Sequence, residues 1–235
     1  YVIGLNRVPD TAGFNQWVSN FENNKVTAAQ AISNFLMSQE FADRKLSNQE
    51  AVTVAYNLCL DRDPDTSGLN TMKEFLDSGA GYDYIIKAIT DSTEFATVAA
   101  VYGVTKGTAV CTEPRSQNIN LTRFINRMYI NVLGRNCDAG GMNYWCNEIL
   151  TKSKTIRQVC TAGFFGSTEF KAKQLTDVEY VELLYRTFFD RGSDNDGRSY
   201  WIGCLTLKTR TREEMPALFE DSKEFRSLKT KFGLQ

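Results

Sequence analysis

A chain of 235 residues, 42% of them apolar, is long enough to bury a sizeable core as one large domain or two small ones. Its formal net charge of -1 gives no overall electrostatic footprint for nucleic acid or an anionic membrane surface, and no apolar run nears the roughly 18 residues of a membrane span. Histidine is absent, which removes the commonest general base and a common metal ligand.

From its start the chain repeats itself. Tyr1, Arg7, Asp10, Gly13 and Trp17 return as Tyr56, Arg62, Asp65, Gly68 and Met72. They return again as Tyr129, Arg135, Asp138, Gly141 and Trp145, and finally as Tyr185, Arg191, Asp194, Gly197 and Trp201. Constant offsets carry each copy onto the next across this stretch without a gap. About 33 residues after each Arg, a Ser-x-Glu-Phe sequence closes the unit, at 38–41, 92–95, 167–170 and 222–225. Repeats of this length usually mean stacked supersecondary units.

Repeat one lacks most of a first helix and opens on Tyr1, so the sequence reads as a fragment or processed form of something longer. Repeat two begins with a capping box at Ser47 and Glu50, and repeat four with one at Thr176 and Glu179. In repeat three, Leu121, Phe124, Ile125, Met128, Tyr129, Val132 and Leu133 follow helical spacing, with Asn120 as the expected cap. Val181, Leu184, Tyr185 and Phe188 do the same in repeat four. After the Arg-x-x-Asp-x-x-Gly turn, the Asp is placed to cap a second helix. In repeat three that helix is expected to bury Met142, Trp145 and Ile149. A third helix carries Ile156, Val159 and Phe164, and the Ser of Ser-x-Glu-Phe caps a fourth.

These elements predict an all-α protein of four tandem repeats, each of three to four helices, arranged as two pairs. Phe-to-Arg spacing is 21 residues within the pairs but 40 between Phe95 and Arg135. The surplus, with Gly103, Gly107, Cys111 and Pro114, marks a linker at 98–118 between repeats one and two (1–97) and repeats three and four (119–235).

The pattern resembles the bacterial family called domain of unknown function 4214. The resemblance is carried by Met128-Tyr129, Leu133-Gly134-Arg135, Asp138, Gly141, Tyr144-Trp145 and the close at 167–170. Pro9 and Pro64 keep the proline that precedes the Asp, whereas Cys137 and Ser193 replace it, and Met72 stands where Trp is expected. The helical layout is also similar, more distantly, to phycobilisome linker domains. The resemblance implies a secreted or surface bacterial protein with further modules beside this one, and it brings no catalytic residues.

The repeated Arg and Asp admit two roles, a ligand site or a structural turn. Recurrence in four equivalent turns favours structure, with Asp capping the second helix and Arg paired with a carboxylate or a helix C-terminus. The repeated Gly reads as a close-packing position, since no phosphate-binding glycine motif accompanies it. Asp194 to Gly197 fits a calcium loop poorly: with Gly197 in the invariant sixth place, Gly192 and Gly203 fall where ligands belong. Tyr144 and Tyr200, beside the core Trp, and Tyr82 and Tyr84, flanking Asp83, are candidate ligand contacts as well as candidate core edges.

No nucleophile and base pair can be assembled, and no cofactor or metal is expected. The expectation is a non-catalytic binding or assembly module whose partner is a surface protein or a glycan. The rivals are a carboxylate-based enzyme acting on glycans and a structural spacer between domains. Nucleic acid and a membrane span are not expected.

Six cysteines complete the reading: Cys59, Cys111, Cys137, Cys146, Cys160 and Cys204. Cys59 belongs to a buried helix stripe. Cys146 and Cys160 lie at equal distances from the turn near Ser153 and on inward faces, so a disulfide between them in an oxidising compartment is predicted. The other four allow three pairings.

Overall fold

A computed structural model describes residues 1–231 and Gly233. The chain forms two compact units, Tyr1–Gln117 and Asn118–Gln235, and no strand occurs among the described residues.

In the first unit, repeat one contributes α1 (Val2–Leu5), α2 (Thr11–Glu22), α3 (Ala28–Leu36) and α4 (Gln39–Ala42). Repeat two contributes α5 (Asn48–Leu60), α6 (Thr66–Asp77), α7 (Tyr82–Thr90) and α8 (Thr93–Val101), and a short α9 (Pro114–Gln117) follows. In the second unit, repeat three holds α10 (Ile119–Arg127), continued by a wider π-helical stretch at Met128–Leu133. Next come α11 (Ala139–Leu150), α12 (Ile156–Gln158) with a π stretch at Val159–Phe165, and α13 (Thr168–Lys171). Repeat four holds α14 (Asp177–Phe189), α15 (Asn195–Thr206), α16 (Met215–Glu220) and α17 (Lys223–Lys231).

Side-chain caps set most of the boundaries. Reciprocal capping boxes open α3, α5, α12 and α14 at Thr27–Gln30, Ser47–Glu50, Thr155–Gln158 and Thr176–Glu179. The cap of α10 is Asn118, not Asn120. Asn118 is extended and accepts from the backbone N–H groups of Asn120 and Leu121 at 3.1 Å, so this helix starts two residues earlier than its sequence equivalents. Two left-handed turn residues recur in every repeat. The first helix ends at Asn6, Asp61, Gly134 or Asp190, and the second-to-third helix turn uses Asn24, Gly79, Lys152 or Lys208.

Repeat length varies by single residues, and the backbone absorbs the change locally. From helix-three cap to closing Ser is 11 residues in repeats one, two and four but 12 in repeat three, Thr155 to Ser167. The surplus residue falls within the π stretch at Val159–Phe165, where i to i+5 winding accommodates it. Repeat two is one residue short after Gly79, whose φ of 101° only glycine adopts readily.

The stretch expected as a linker is not a free connector. Its beginning is the end of α8. Thr105 and Lys106 then accept hydrogen bonds from the backbone N–H groups of Ala28 and Ala29 at 2.8 and 3.0 Å, satisfying donors at the start of α3. Buried Asp83 in α7 holds the rest. It accepts from the Thr112 and Glu113 backbone N–H groups at 2.7 and 2.8 Å and from the Ser116 hydroxyl. The segment thus belongs to the first unit, and the boundary falls at 117/118.

Each unit has one core. Leu36, Phe41, Val52, Cys59, Ile85, Ile86, Ile89 and Phe95 fill the first. The stripe predicted in α10 fills the second together with Val159, Phe164, Val181, Leu184, Phe188, Phe219 and Phe225. Met142 is buried as expected, while Trp145 and Ile149 are half-buried at the core edge. Phe188 is the junction of the second core. Its ring lies 5.2 Å from Phe225, 6.0 Å from Phe219, 6.1 Å from Phe165 and 6.4 Å from Phe124, touching both repeats. We expect Phe188→Ala to destabilise the chain by about 3–5 kcal/mol, read as a shifted urea midpoint. A loss below about 1 kcal/mol would contradict a core shared by the two repeats.

Candidate functional site

The twelve motif residues assemble into four copies of one arrangement. In each, the Asp begins the second helix and its Oδ1 accepts from the Gly backbone N–H. Asp10–Gly13, Asp65–Gly68 and Asp194–Gly197 are at 2.8 Å and Asp138–Gly141 at 2.7 Å. The Arg forks onto the Glu of Ser-x-Glu-Phe with two parallel hydrogen bonds, in Arg7–Glu40, Arg62–Glu94, Arg135–Glu169 and Arg191–Glu224. The same guanidinium covers the tyrosine ring five residues before the left-handed residue that ends the first helix. It lies 4.8 Å from the Tyr1 centroid, 5.5 Å from Tyr56, 5.0 Å from Tyr129 and 5.1 Å from Tyr185. The Ser hydroxyl accepts from the Phe N–H at 3.1 Å in all four closes.

The glycine follows from the tyrosine. A Cβ at Gly13, Gly68 or Gly141 would stand 2.5, 2.5 or 2.6 Å from the hydroxyl of Tyr1, Tyr56 or Tyr129, and closer still at Gly197 to Tyr185. In repeat three that hydroxyl also accepts from the Trp145 indole N–H at 3.1 Å. One tyrosine therefore touches Arg, Gly and Trp.

The electrostatics are those of a fastener. Hydrogen bonds from Arg7, Arg62 and Arg135 hold Glu40, Glu94 and Glu169 below the usual glutamate range, and the Gly N–H groups do the same for Asp10 and Asp194. The ion pairs are exposed, with both side chains of each at 40–48% accessibility, so solvent screens them. Their value lies in fixing geometry across about 33 residues of chain. Asp194 spends Oδ1 on Gly197 and Oδ2 on Arg191, at 2.8 and 3.3 Å.

The candidate tyrosines separate into two kinds. Tyr144 and Tyr200 are 50% and 63% exposed, each edge-on to the adjoining Trp145 or Trp201. Lys154 lies over the Tyr144 ring at 5.5 Å and donates to its hydroxyl at 3.3 Å. Tyr82 and Tyr84 are half-buried, packed edge-on against Phe41 and Phe75 at 5.5 and 4.8 Å.

The expected Cys146–Cys160 disulfide is not formed. Both residues are fully buried, as their helix faces require. However, the Cys146 sulfur lies 3.7 Å from the Thr122 hydroxyl of α10, whereas the Cys160 thiol is raised well above its ordinary pKa by burial and by Glu220 of repeat four. Cys59 is likewise buried, its pKa pushed up to about 12.

Three features escape sequence reasoning. The Glu of Ser-x-Glu-Phe is the partner of the motif Arg, and its recurrence about 33 residues later was the available signal. Asp83 is an anchor hidden between two aromatics. Glu220, at the end of helix three where the other repeats have Leu36, Thr90 and Phe165, is buried between Arg157 at 3.0 Å and Lys229 at 2.6 Å. Arg157, in α12 of repeat three, thus pairs with a carboxylate of repeat four. Among the described residues no group of three or more His, Cys, Asp or Glu side chains is placed to hold a metal ion, and no helix is long and apolar enough to cross a membrane.

Four copies of one helical unit, each fastened by the same Arg–Glu fork, define an all-α tandem-repeat protein. The chain belongs to the family described as Domain of unknown function (DUF4214), whose sequence profile matches residues 1–45, 32–99, 111–174 and 161–229. The overlaps fall on the closes of repeats one and three. No curated protein and no solved structure is significantly similar to the chain.

Repeat two isolates the Tyr–Gly contact, because Met72 leaves Tyr56 without a Trp partner. Gly68→Ala is expected to cost about 1–3 kcal/mol despite alanine's better helix propensity. Adding Tyr56→Phe should restore most of that loss in urea denaturation, and a double variant no better than the single one would refute the contact. For the cysteines, thiol titration of the native chain without reductant should leave Cys59, Cys146 and Cys160 unreacted. After denaturation all six should react; recovery of only four would restore the bridge.

Proposed function

We propose that the chain is a non-catalytic binding or assembly module of a secreted or surface bacterial protein, taking a protein or a glycan as partner. The observation that carries this is the pair Tyr144 and Tyr200, at one repeat position, exposed and seated against half-buried tryptophans at the core edge. Aromatic rings held rigidly at a surface stack on sugar rings or anchor a partner side chain at low entropic cost. Lys154, ion-paired with Glu148, donates to the Tyr144 hydroxyl and holds that ring in place. The motif's ionic groups, by contrast, are occupied in holding the repeats closed. The placement outside the cell rests on the family resemblance alone, since no disulfide supports it.

A spacer reading draws on the same occupied motif, and a glycan-acting enzyme remains the catalytic rival. A glycan array and a pull-down from bacterial cell-wall fractions separate them. The expected result is retention on at least one, weakened about tenfold or more by Tyr144→Ala with Tyr200→Ala. No retention by a folded chain would favour the spacer. Release of soluble sugar from a polysaccharide would replace the proposal with the enzyme.

A further inference from the structure

The seam between first and second repeat is closed in the first unit and open in the second. In the first unit Leu36, Phe41, Ala51 and Tyr82 meet there and leave about 10 Å³. Tyr82, the first residue of α7, sets its ring edge-on to Phe41 at 5.5 Å, and Phe41 is 3% exposed. Counted from the closing serines, the equivalent positions in the second unit are Phe165, Phe170, Tyr180 and Arg212. The aromatic plug is gone. Arg212 turns its guanidinium onto the Tyr180 ring at 5.3 Å and pairs with Asp177 at 3.0 Å through Nε. A cleft of about 280 Å³ remains, walled by Phe165, Phe170 and Tyr180. Lys171 and Lys173 line it too, and Glu213 is the one carboxylate among its lining residues.

We infer that this cleft takes the aromatic side chain of an acidic peptide from a partner protein, an aromatic residue flanked by carboxylates. The first unit fills the equivalent place with a ring of its own chain, Tyr82. Aromatic walls meeting edge-to-face favour a ring. With Arg212 neutralised by Asp177, the two lysines outweigh Glu213 and set a positive rim that selects and steers an acidic flank. The inference rests on the reading of the chain as a binding module and names its partner class.

A fluorescein-labelled peptide with one tyrosine between two aspartates and two glutamates, titrated by anisotropy with the whole chain at low salt, tests it. Saturable binding is expected. It should weaken at least tenfold when the peptide's tyrosine is replaced by alanine, and equally with Arg212→Tyr, which rebuilds the plug of the first unit. Lys171→Glu with Lys173→Glu, on exposed or half-exposed positions, should do the same while leaving the melting curve unchanged. No saturable binding up to millimolar chain, or binding indifferent to both variants, overturns the assignment. If the cell-wall or glycan retention persists in that case, the cleft alone is wrong. If it is absent as well, the binding-module reading falls with it.

Discussion

Each repeat depends on one tyrosine. Its ring, near the end of each repeat's first helical stretch, lies under the motif arginine, and its hydroxyl faces the glycine of the second helix. The arginine then reaches the glutamate that opens the fourth helix. Three elements far apart in sequence are thereby referred to one aromatic group. The exposed ion pair adds little energy by itself, and the buried apolar surface supplies most of the stability. What the tyrosine cluster adds is a unique arrangement for helices that greasy contact alone would leave free to slide.

Much of this was legible because it recurs. A repeated Asp three residues before a repeated Gly is a capping pattern, and the apolar stripe from Leu121 to Val132 names its buried face without a structure. The fold class and the structural role of the motif follow from such local rules. Long-range partners do not. The Arg–Glu fork lay within reach because both residues recur at nearly constant spacing, whereas the grip of Asp83 on Thr112 and Glu113 occurs once and has no pattern to betray it. The Cys146–Cys160 bridge is not seen, and its spacing alone did not settle it. Sequence spacing gives height along a hairpin, but the direction of each sulfur depends on what packs opposite, here Thr122 for one and repeat four for the other.

The two units use the same parts differently. Repeats one and three end in four-residue fourth helices, while repeats two and four end in nine-residue ones. The short closes place Phe41 and Phe170 at the seam between repeats, Phe41 buried and Phe170 half-buried, and the long closes bring Phe95 and Phe225 into the cores. Within that shared plan, substitutions at equivalent places change the local chemistry, as Met72 does for Trp and Arg212 for Tyr82.

The spacing between the paired residues is 33 in repeat one, 32 in repeat two, 34 in repeat three and 33 in repeat four. A π turn takes up the residue gained in repeat three, and a glycine turn takes up the one lost in repeat two. The Arg–Glu fork thus senses closure in space and is blind to the count of residues between its ends. Copies fastened in this way can drift in length by insertion and deletion after duplication and still stack on one another, so a tandem array of them can diversify without first losing its fold.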